Sequence, residues 1–431
     1  ALLTFIEFAV WGAYLTSLGS YLSNVGLQGS IGLFYAVQGI VSMFMPALIG
    51  IIADRWIPAQ RTLSLCHLLA GAFMIAAGVY GMSAGNSPEF GTLFALYSIS
   101  VAFFMPTIGL HNSVAYTALD KAGMDAVKHF PPVRVFGTVG FIVAMLFVNF
   151  TGFQNTYAQL VTSGVLSLVM VAYALTMPNC PVNNRKISGG FVEVFGLKAF
   201  ALFKQKQMAV FFIFSMLLGV SLQITNGFAN PFIQAFGKIP EYANDWGVNN
   251  ANALISLSQM SETLCILLIP FFLKRFGIKI VMLMSMVAWA LRFGFFGIGN
   301  PGEGVWLFIL SMIVYGIAFD FFNISGSLYV DSKTNASMRS SAQGLFMLMT
   351  NGVGATIGTL GAQVVIDRFV NSQTENEAII SGWHVSWLIF AGYALVIAIL
   401  FMFVFNDRDS SRPIDAAGTV DAVSPEGMIN E

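Results

Sequence analysis

The sequence predicts an all-α polytopic membrane protein with twelve transmembrane helices in two six-helix bundles. Three observations predict it. Hydrophobic residues make up 56% of the 431 residues and charged residues only 10%, whereas soluble domains carry about 25% charged residues. Twelve runs of mostly apolar sequence are each long enough to cross a hydrocarbon core of about 30 Å. Lys and Arg are distributed almost entirely to one side of those runs. The same composition excludes disorder, which needs low hydrophobicity, and a single soluble core, which stops growing near ~250–300 residues. A net charge of −1 gives no basic field for nucleic acid. Cys66, Cys180 and Cys265 have neither disulfide nor metal-ligand spacing, so no metal site and no cofactor are expected. The runs lack the alternation of barrel strands.

The spans are 1–22, 31–52, 62–82, 90–112, 131–150, 157–177, 208–229, 251–273, 278–299, 305–328, 340–366 and 383–405. The first begins abruptly, without the charged flank and cleavage site of a signal peptide. With the N-terminus inside, sixteen of the twenty Lys and Arg fall in inner segments. Outer loops keep only Lys238 and Arg368, and Arg134 and Arg292 fall within spans. This bias orients the chain with both termini cytoplasmic and sets Trp246, Trp306 and Trp383 at the outer headgroups. The longest break, 178–207, carries five basic residues and the turn-rich start PNCPVNN. It divides an N-terminal bundle (1–177) from a C-terminal one (208–405), and a polar cytoplasmic tail follows (406–431).

A charge at the bilayer centre costs about 2.5–3.5 kcal/mol on insertion scales, so each polar group in a span needs a reason. Span one holds Glu7, with Trp11 one turn later, as a second candidate proton site. Span five holds Arg134, Thr138 and Phe141 on one face. Pro131 and Pro132 before them fit either a helix start or a kink, and Arg134 is either a snorkelling interfacial residue or the counter-ion of a buried acid. Span seven holds Gln223 and Asn226, one turn apart, either as a ligand-binding amide pair or as helix–helix hydrogen bonds. In span eight Gln259 and Glu262 make one polar spot, for a polyhydroxylated ligand or as interhelical glue. Arg292 of span nine reads as structural. Asp320 of span ten lies among Phe319, Phe321 and Phe322, with Tyr315 a turn before Phe319. Desolvation there favours the neutral acid, which suits a proton carrier. The competing reading is a permanent ion pair with an arginine. His67, His111 and His384 read as packing or interface histidines, and Gly354 with Gly358 as a close-packing pair. No GxSxG, HExxH or Walker sequence is present, so neither an enzyme nor direct ATP drive is expected.

Two levels of resemblance emerge from these residues. The turn after span two, GIIADRWIPAQR, contains Gly50, Asp54 and Arg55 in a GxxxDR pattern. The matching turn after span eight, PFFLKRFGIK, contains Lys274, Arg275, Gly277 and Lys279. In a chain of six plus six spans this resembles the signature loop of the major facilitator superfamily. That resemblance implies two bundles rocking about a midplane cavity, lined by the first, second, fourth and fifth helices of each half. The longer stretches FPPVRVFGTVGF, FFIFSMLLGVSLQITN, SLSQMSETLCILLIPFFLKRFGIK, LSMIVYGIAFDFFNISGS and SAQGLFMLMTNG are similar to the bacterial nucleoside:proton symporters of that superfamily. The similarity covers nearly the whole chain before Phe405.

It implies proton-coupled import of purine and pyrimidine nucleosides, uridine and adenosine among them, across the bacterial inner membrane by alternating access, by a monomer in the lipid bilayer. It also implies a substrate site of Arg134, Thr138, Phe141, Gln223, Asn226, Gln259, Glu262, Tyr315 and Phe319. Asp320 is then the proton-linked carboxylate, and Gly50, Asp54 and Arg55 form the conformational motif. The resemblance departs at Glu7, where a near relative in that family has glutamine, leaving Glu7 an extra titrating group or a polar contact. Aromatic stacking worth about 0.5–1.5 kcal/mol per pair and rotatable amides fit a flat base and a ribose diol. The rivals are a sugar or drug facilitator of the same fold, and a membrane nucleoside receptor that transports nothing.

Overall fold

The computed structural model describes residues 1–182, 196–335 and 338–406. Arg185, Lys186 and the tail from position 407 lie outside the described residues. Every expected span within them is helical. Among the described residues eight helical stretches are long and apolar enough to cross a membrane, and nine with one pair bent by 40°. The other spans are an interrupted first helix and the two limbs of one long helical run.

We number the spans in chain order. In the N-terminal half they are α1 (Leu2–Gly12 with Leu18–Asn24), α2 (Ile31–Ser42 with Met45–Arg55), α3 (Ala59–Ala84), α4 (Phe90–Phe104 with Thr107–Lys121), α5 (Ala126–Phe150) and α6 (Ala158–Leu175). In the C-terminal half α7 is Lys206–Gly219 with Ile224–Ala235. The run Ala251–Ile298 supplies α8 and α9. Val305–Lys333 is α10, the three segments Arg339–Met347, Leu348–Gly354 and Ala355–Ile366 form α11, and Asn376–Val404 is α12.

The breaks have chemical causes. Pro46 opens the second segment of α2 and Pro106 precedes the second segment of α4, because proline removes a backbone donor. Between α8 and α9, Gly277 sits at φ 76°, a left-handed conformation that glycine adopts without steric cost. The segment Leu348–Gly354 of α11 is π-helical, a form found mostly as short insertions in α-helices. Helix α5 starts at Ala126, earlier than the expected 131, so Pro131 and Pro132 lie inside it.

In the N-terminal half α1 packs on α5 and α6, and α3 packs on α4 and α6. In the C-terminal half α10 and α12 pack on the α8–α9 run, and α11 packs on α7. The expected small-residue contact is present there: Gly354 faces the Met216 carbonyl and Gly358 the Val220 carbonyl, where a Cβ would collide.

The halves meet along α1–α7, α2–α11 and α5–α8, and Gly19 of α1 lies against the Gly227 carbonyl of α7. Their mutual hydrogen bonds gather at the end of the molecule poor in basic residues. Thr16 donates to Asn252 Oδ1 (2.6 Å), Ser20 to Asn230 Oδ1 (2.7 Å) and Asn149 to Asn250 Oδ1 (2.8 Å). Asn252 also donates to the Met145 carbonyl (3.0 Å), and the Gly32 amide donates to Gln363 Oε1 (2.7 Å). All these groups are neutral. Among the described residues no hydrogen bond joins the halves at the basic-rich end.

Two expectations change here. Trp246 and Trp306 are exposed, but Trp383 is buried against Phe228, Phe232 and Trp387, so it packs the C-terminal half instead of meeting headgroups. His67 is also no mere packing residue, as its contact with Glu7 shows below.

Candidate substrate and proton site

Three charged side chains within spans lie near enough to act on one another: Arg134 of α5, Glu262 of α8 and Asp320 of α10. The cation comes from one half and both acids from the other. No direct ion pair joins them among the described residues. The permanent arginine pair considered for Asp320 is therefore absent from this conformation.

Arg134 is crowded by protein yet open to solvent, the combination expected of a group lining an aqueous opening. Its guanidinium lies 4.1 Å from the centre of the Phe8 ring, a cation–π contact. Thr138, one turn on, is half-buried. Phe141 is buried with its ring edge-on to Trp11 at 6.3 Å. Trp11 donates to Gln38 (3.2 Å), which donates to the Tyr97 hydroxyl (3.3 Å).

In the C-terminal half, Gln223 stands at the break in α7, and Asn226 donates to its Oε1 at 2.9 Å. The pair is half-buried, and each amide keeps further donor or acceptor capacity. Tyr315 and Phe319 stack at 5.6 Å and 18°, as residues one turn apart on α10 can. Tyr315 also meets the Gln259 side chain. Behind it the buried Arg292 lies 4.6 Å from the ring centre and donates to the Ser311 carbonyl at 2.8 Å, in keeping with a structural role. Asp320 is only 6% exposed, and its Oδ2 has no hydrogen-bond partner. A buried polar atom without a partner is uncommon and calls for a proton, a water or a ligand.

Glu7 does not join these acids. It is buried in the N-terminal half against His67 and Thr107. Asp54 is exposed, Gly50 has open space beside it, and the Arg55 Nε is buried without a partner. Phe8 and Gln38 contribute to the site's surroundings although the sequence reading does not single them out, and Trp11, expected only beside Glu7, joins them. Gln38 carried a readable signal, a lone amide in the apolar run IGLFYAVQGIVS. Phe8 carried none, since a phenylalanine in a span is ordinary.

The family described as nucleoside H+ symporter matches residues 1–410. Xanthosine permease of Escherichia coli (strain K12) is 48% identical over 408 residues, 94% of each chain. Nucleoside permease NupG of the same organism is 46% identical over 415 residues, 96% of each chain. The crystal structure of nucleoside transporter NupG superposes with a TM-score of 0.84 at 45% identity, covering 94% of this chain and 98% of that one.

Proposed function

The chain belongs to the nucleoside H+ symporter family, and on that premise we propose that it imports purine and pyrimidine nucleosides together with protons across the inner membrane. Its fold is that of the major facilitator superfamily, and it is a transporter, not an enzyme. One observation carries the assignment of the site: a solvent-open cation of one half faces two acids of the other without an ion pair, and one acid oxygen has no partner.

In this reading Asp320 carries the proton. Its open oxygen takes a proton while the site is accessible from outside and gives it up inside. Arg134, Thr138, Gln223, Asn226, Gln259 and Glu262 hold the ribose hydroxyls and base edges. Phe141, Tyr315 and Phe319 supply faces for the base. Base stacking tolerates either ring size, and amides offer both donors and acceptors. Both features fit a substrate range that includes uridine and adenosine.

The orientation follows from charge. The basic-rich end faces the cytoplasm, so both termini do too. The hydrogen-bonded seam then closes the outer end, and the conformation is inward-facing. Gly50, Asp54 and Arg55 lie at the inner end, where the halves close in the opposite state. Each site is complete within one chain, which supports a monomer.

The test is uptake of labelled uridine and adenosine into proteoliposomes under an imposed pH gradient. One proton moved through about 100 mV supplies about 2.3 kcal/mol, enough for roughly fifty-fold accumulation. Uptake that ignores the gradient, or that sugars compete for as well as nucleosides do, would overturn the reading. Binding without flux would identify a receptor.

A further inference from the structure

A second cluster of buried titratable groups lies wholly within the N-terminal half. Glu7, His67, Thr107 and Ser167 come from α1, α3, α4 and α6, and none is more than 1% exposed. Glu7 Oε2 lies 2.8 Å from His67 Nε2, and Glu7 Oε1 receives the Thr107 hydroxyl at 2.6 Å. On the other side of the imidazole, Nδ1 lies 2.8 Å from Ser167 Oγ. That hydroxyl is also 3.0 Å from the His67 carbonyl.

Ser167 has one hydroxyl proton and two acceptors for it. In one arrangement it donates to Nδ1, while Nε2–H donates to the Glu7 carboxylate. The pair then carries one negative charge. In the other arrangement a proton has been added at Nδ1. The imidazolium donates from Nδ1 to Ser167 Oγ and from Nε2 to Glu7, and the Ser167 hydroxyl turns to the His67 carbonyl. The pair is then neutral. Both arrangements satisfy the same heavy-atom distances, and the imidazole and carboxylate keep their partners in each.

We propose that Glu7, His67 and Ser167 form a second proton-binding site, separate from Asp320, that loads and unloads one proton by rotation of the Ser167 hydroxyl. The titratable and charged groups around it are Cys66 on α3, His111 on α4 and Arg134 on α5. Cys66 and His111 feel the Glu7 charge, and His111 also feels that of Arg134. Helix α6 carries no Asp, Glu, Lys, Arg, His or Cys. His111 donates from Nδ1 to the Thr107 carbonyl at 3.3 Å, and its buried Nε2 has no partner, so a vacant base stands beside the site. Glu7 adjoins Phe8, the residue on whose ring Arg134 rests. Between the two stands His111, which feels the charges of both Glu7 and Arg134 and lies edge-on to the Phe8 ring at 5.5 Å, so the site deepens the proposed proton coupling by acting on that cation through His111.

The test is nitrogen NMR of the full chain labelled with 15N-histidine. Only four histidines are present, and His67→Gln assigns the His67 signal. In spectra recorded from about pH 5 to 8, the interval in which histidine changes charge, the His67 nitrogens are expected to report both arrangements, imidazolium and neutral Nε2–H, in wild type and in Asp320→Asn alike. Glu7→Gln removes the anion and should abolish the imidazolium signal near neutral pH. Ser167→Ala removes the partner of Nδ1 in both arrangements, the donor to the neutral ring and the acceptor from the imidazolium, and should change the balance between the two forms. Should Glu7→Gln fail to fold, Ser167→Ala alone decides. A His67 signal unchanged across the range, or unchanged by the substitution tested, would overturn the proposal. The measurement involves no nucleoside, so its failure leaves the Asp320 reading standing, and failed uptake leaves this site standing.

Discussion

Glu7 and Asp320 are buried acids in opposite halves of one transporter, and they differ in a single respect that can be counted. Each oxygen of Glu7 has a partner, His67 on one side and Thr107 on the other. Asp320 Oδ2 has none. A buried group with a full set of hydrogen bonds is held by the bundle around it, and removing it strands the partners. A buried group with an open oxygen strands little, so its value lies in what it binds. The difference separates an acid woven into four helices from one that, in the proposed function, exchanges its partner during transport.

The comparison breaks most sharply at Asp320→Asn. The amide keeps the shape but holds no dissociable proton, so accumulation of uridine against its gradient should fall from roughly fifty-fold to none. Exchange of internal for external uridine should persist, because exchange needs no net proton movement. Uphill accumulation in this variant would end the assignment of Asp320. A step smaller, Gln259→Ala removes one proposed substrate hydrogen bond from the same wall. Uridine affinity should weaken about ten-fold, equivalent to about 1.4 kcal/mol. Equilibrium binding measures it, and unchanged affinity for both uridine and adenosine would take α8 out of the site.

Most of this contrast could be read from the chain before its structure. Hydrophobic runs mark the spans because a bilayer demands them, and charge asymmetry orients them. Asp320, Glu262 and Arg134 stand out because so few charges lie within spans. Partnership was less legible. His67 looks like any single histidine in span three, and its contact with Glu7 joins residues sixty positions apart. Trp383 looks like an interfacial anchor by position, but α12 begins at Asn376 and turns it into the bundle. The break in α7 at Gln223 has no proline to announce it.

The stability side of the comparison is tested by apolar replacement. Glu7→Leu leaves His67 Nε2 buried without a partner, a cost of about 1–3 kcal/mol. Asp320→Leu strands no protein hydrogen bond to Oδ2. The melting temperature in detergent should therefore drop further for Glu7→Leu than for Asp320→Leu. Equal drops, or a larger drop for Asp320→Leu, would show that partner counting does not distinguish the two acids.

The smallest effect is expected at the seam between the halves, whose cross-half hydrogen bonds join only neutral groups. Asn252 accepts from Thr16 and donates to the Met145 carbonyl, so it ties α8 to both α1 and α5. Each neutral bond contributes about 0.5–1.5 kcal/mol net, and in a seam that must open in every cycle each is expected at the low end, so the two together contribute about 1 kcal/mol. Asn252→Ala gives up these bonds while Ser20–Asn230, Asn149–Asn250 and Gly32–Gln363 remain. The balance should shift toward the outward-open state by about five-fold, the ratio that 1 kcal/mol represents. A cysteine placed at Asn226, reached from the outer side with a membrane-impermeant thiol reagent, reports that shift as faster labelling. Cys66, Cys180 and Cys265 are buried and give little background. If Asn252→Ala labels no faster than its parent, the seam is held by close glycine packing such as Gly19 on Gly227, and the amides only satisfy one another.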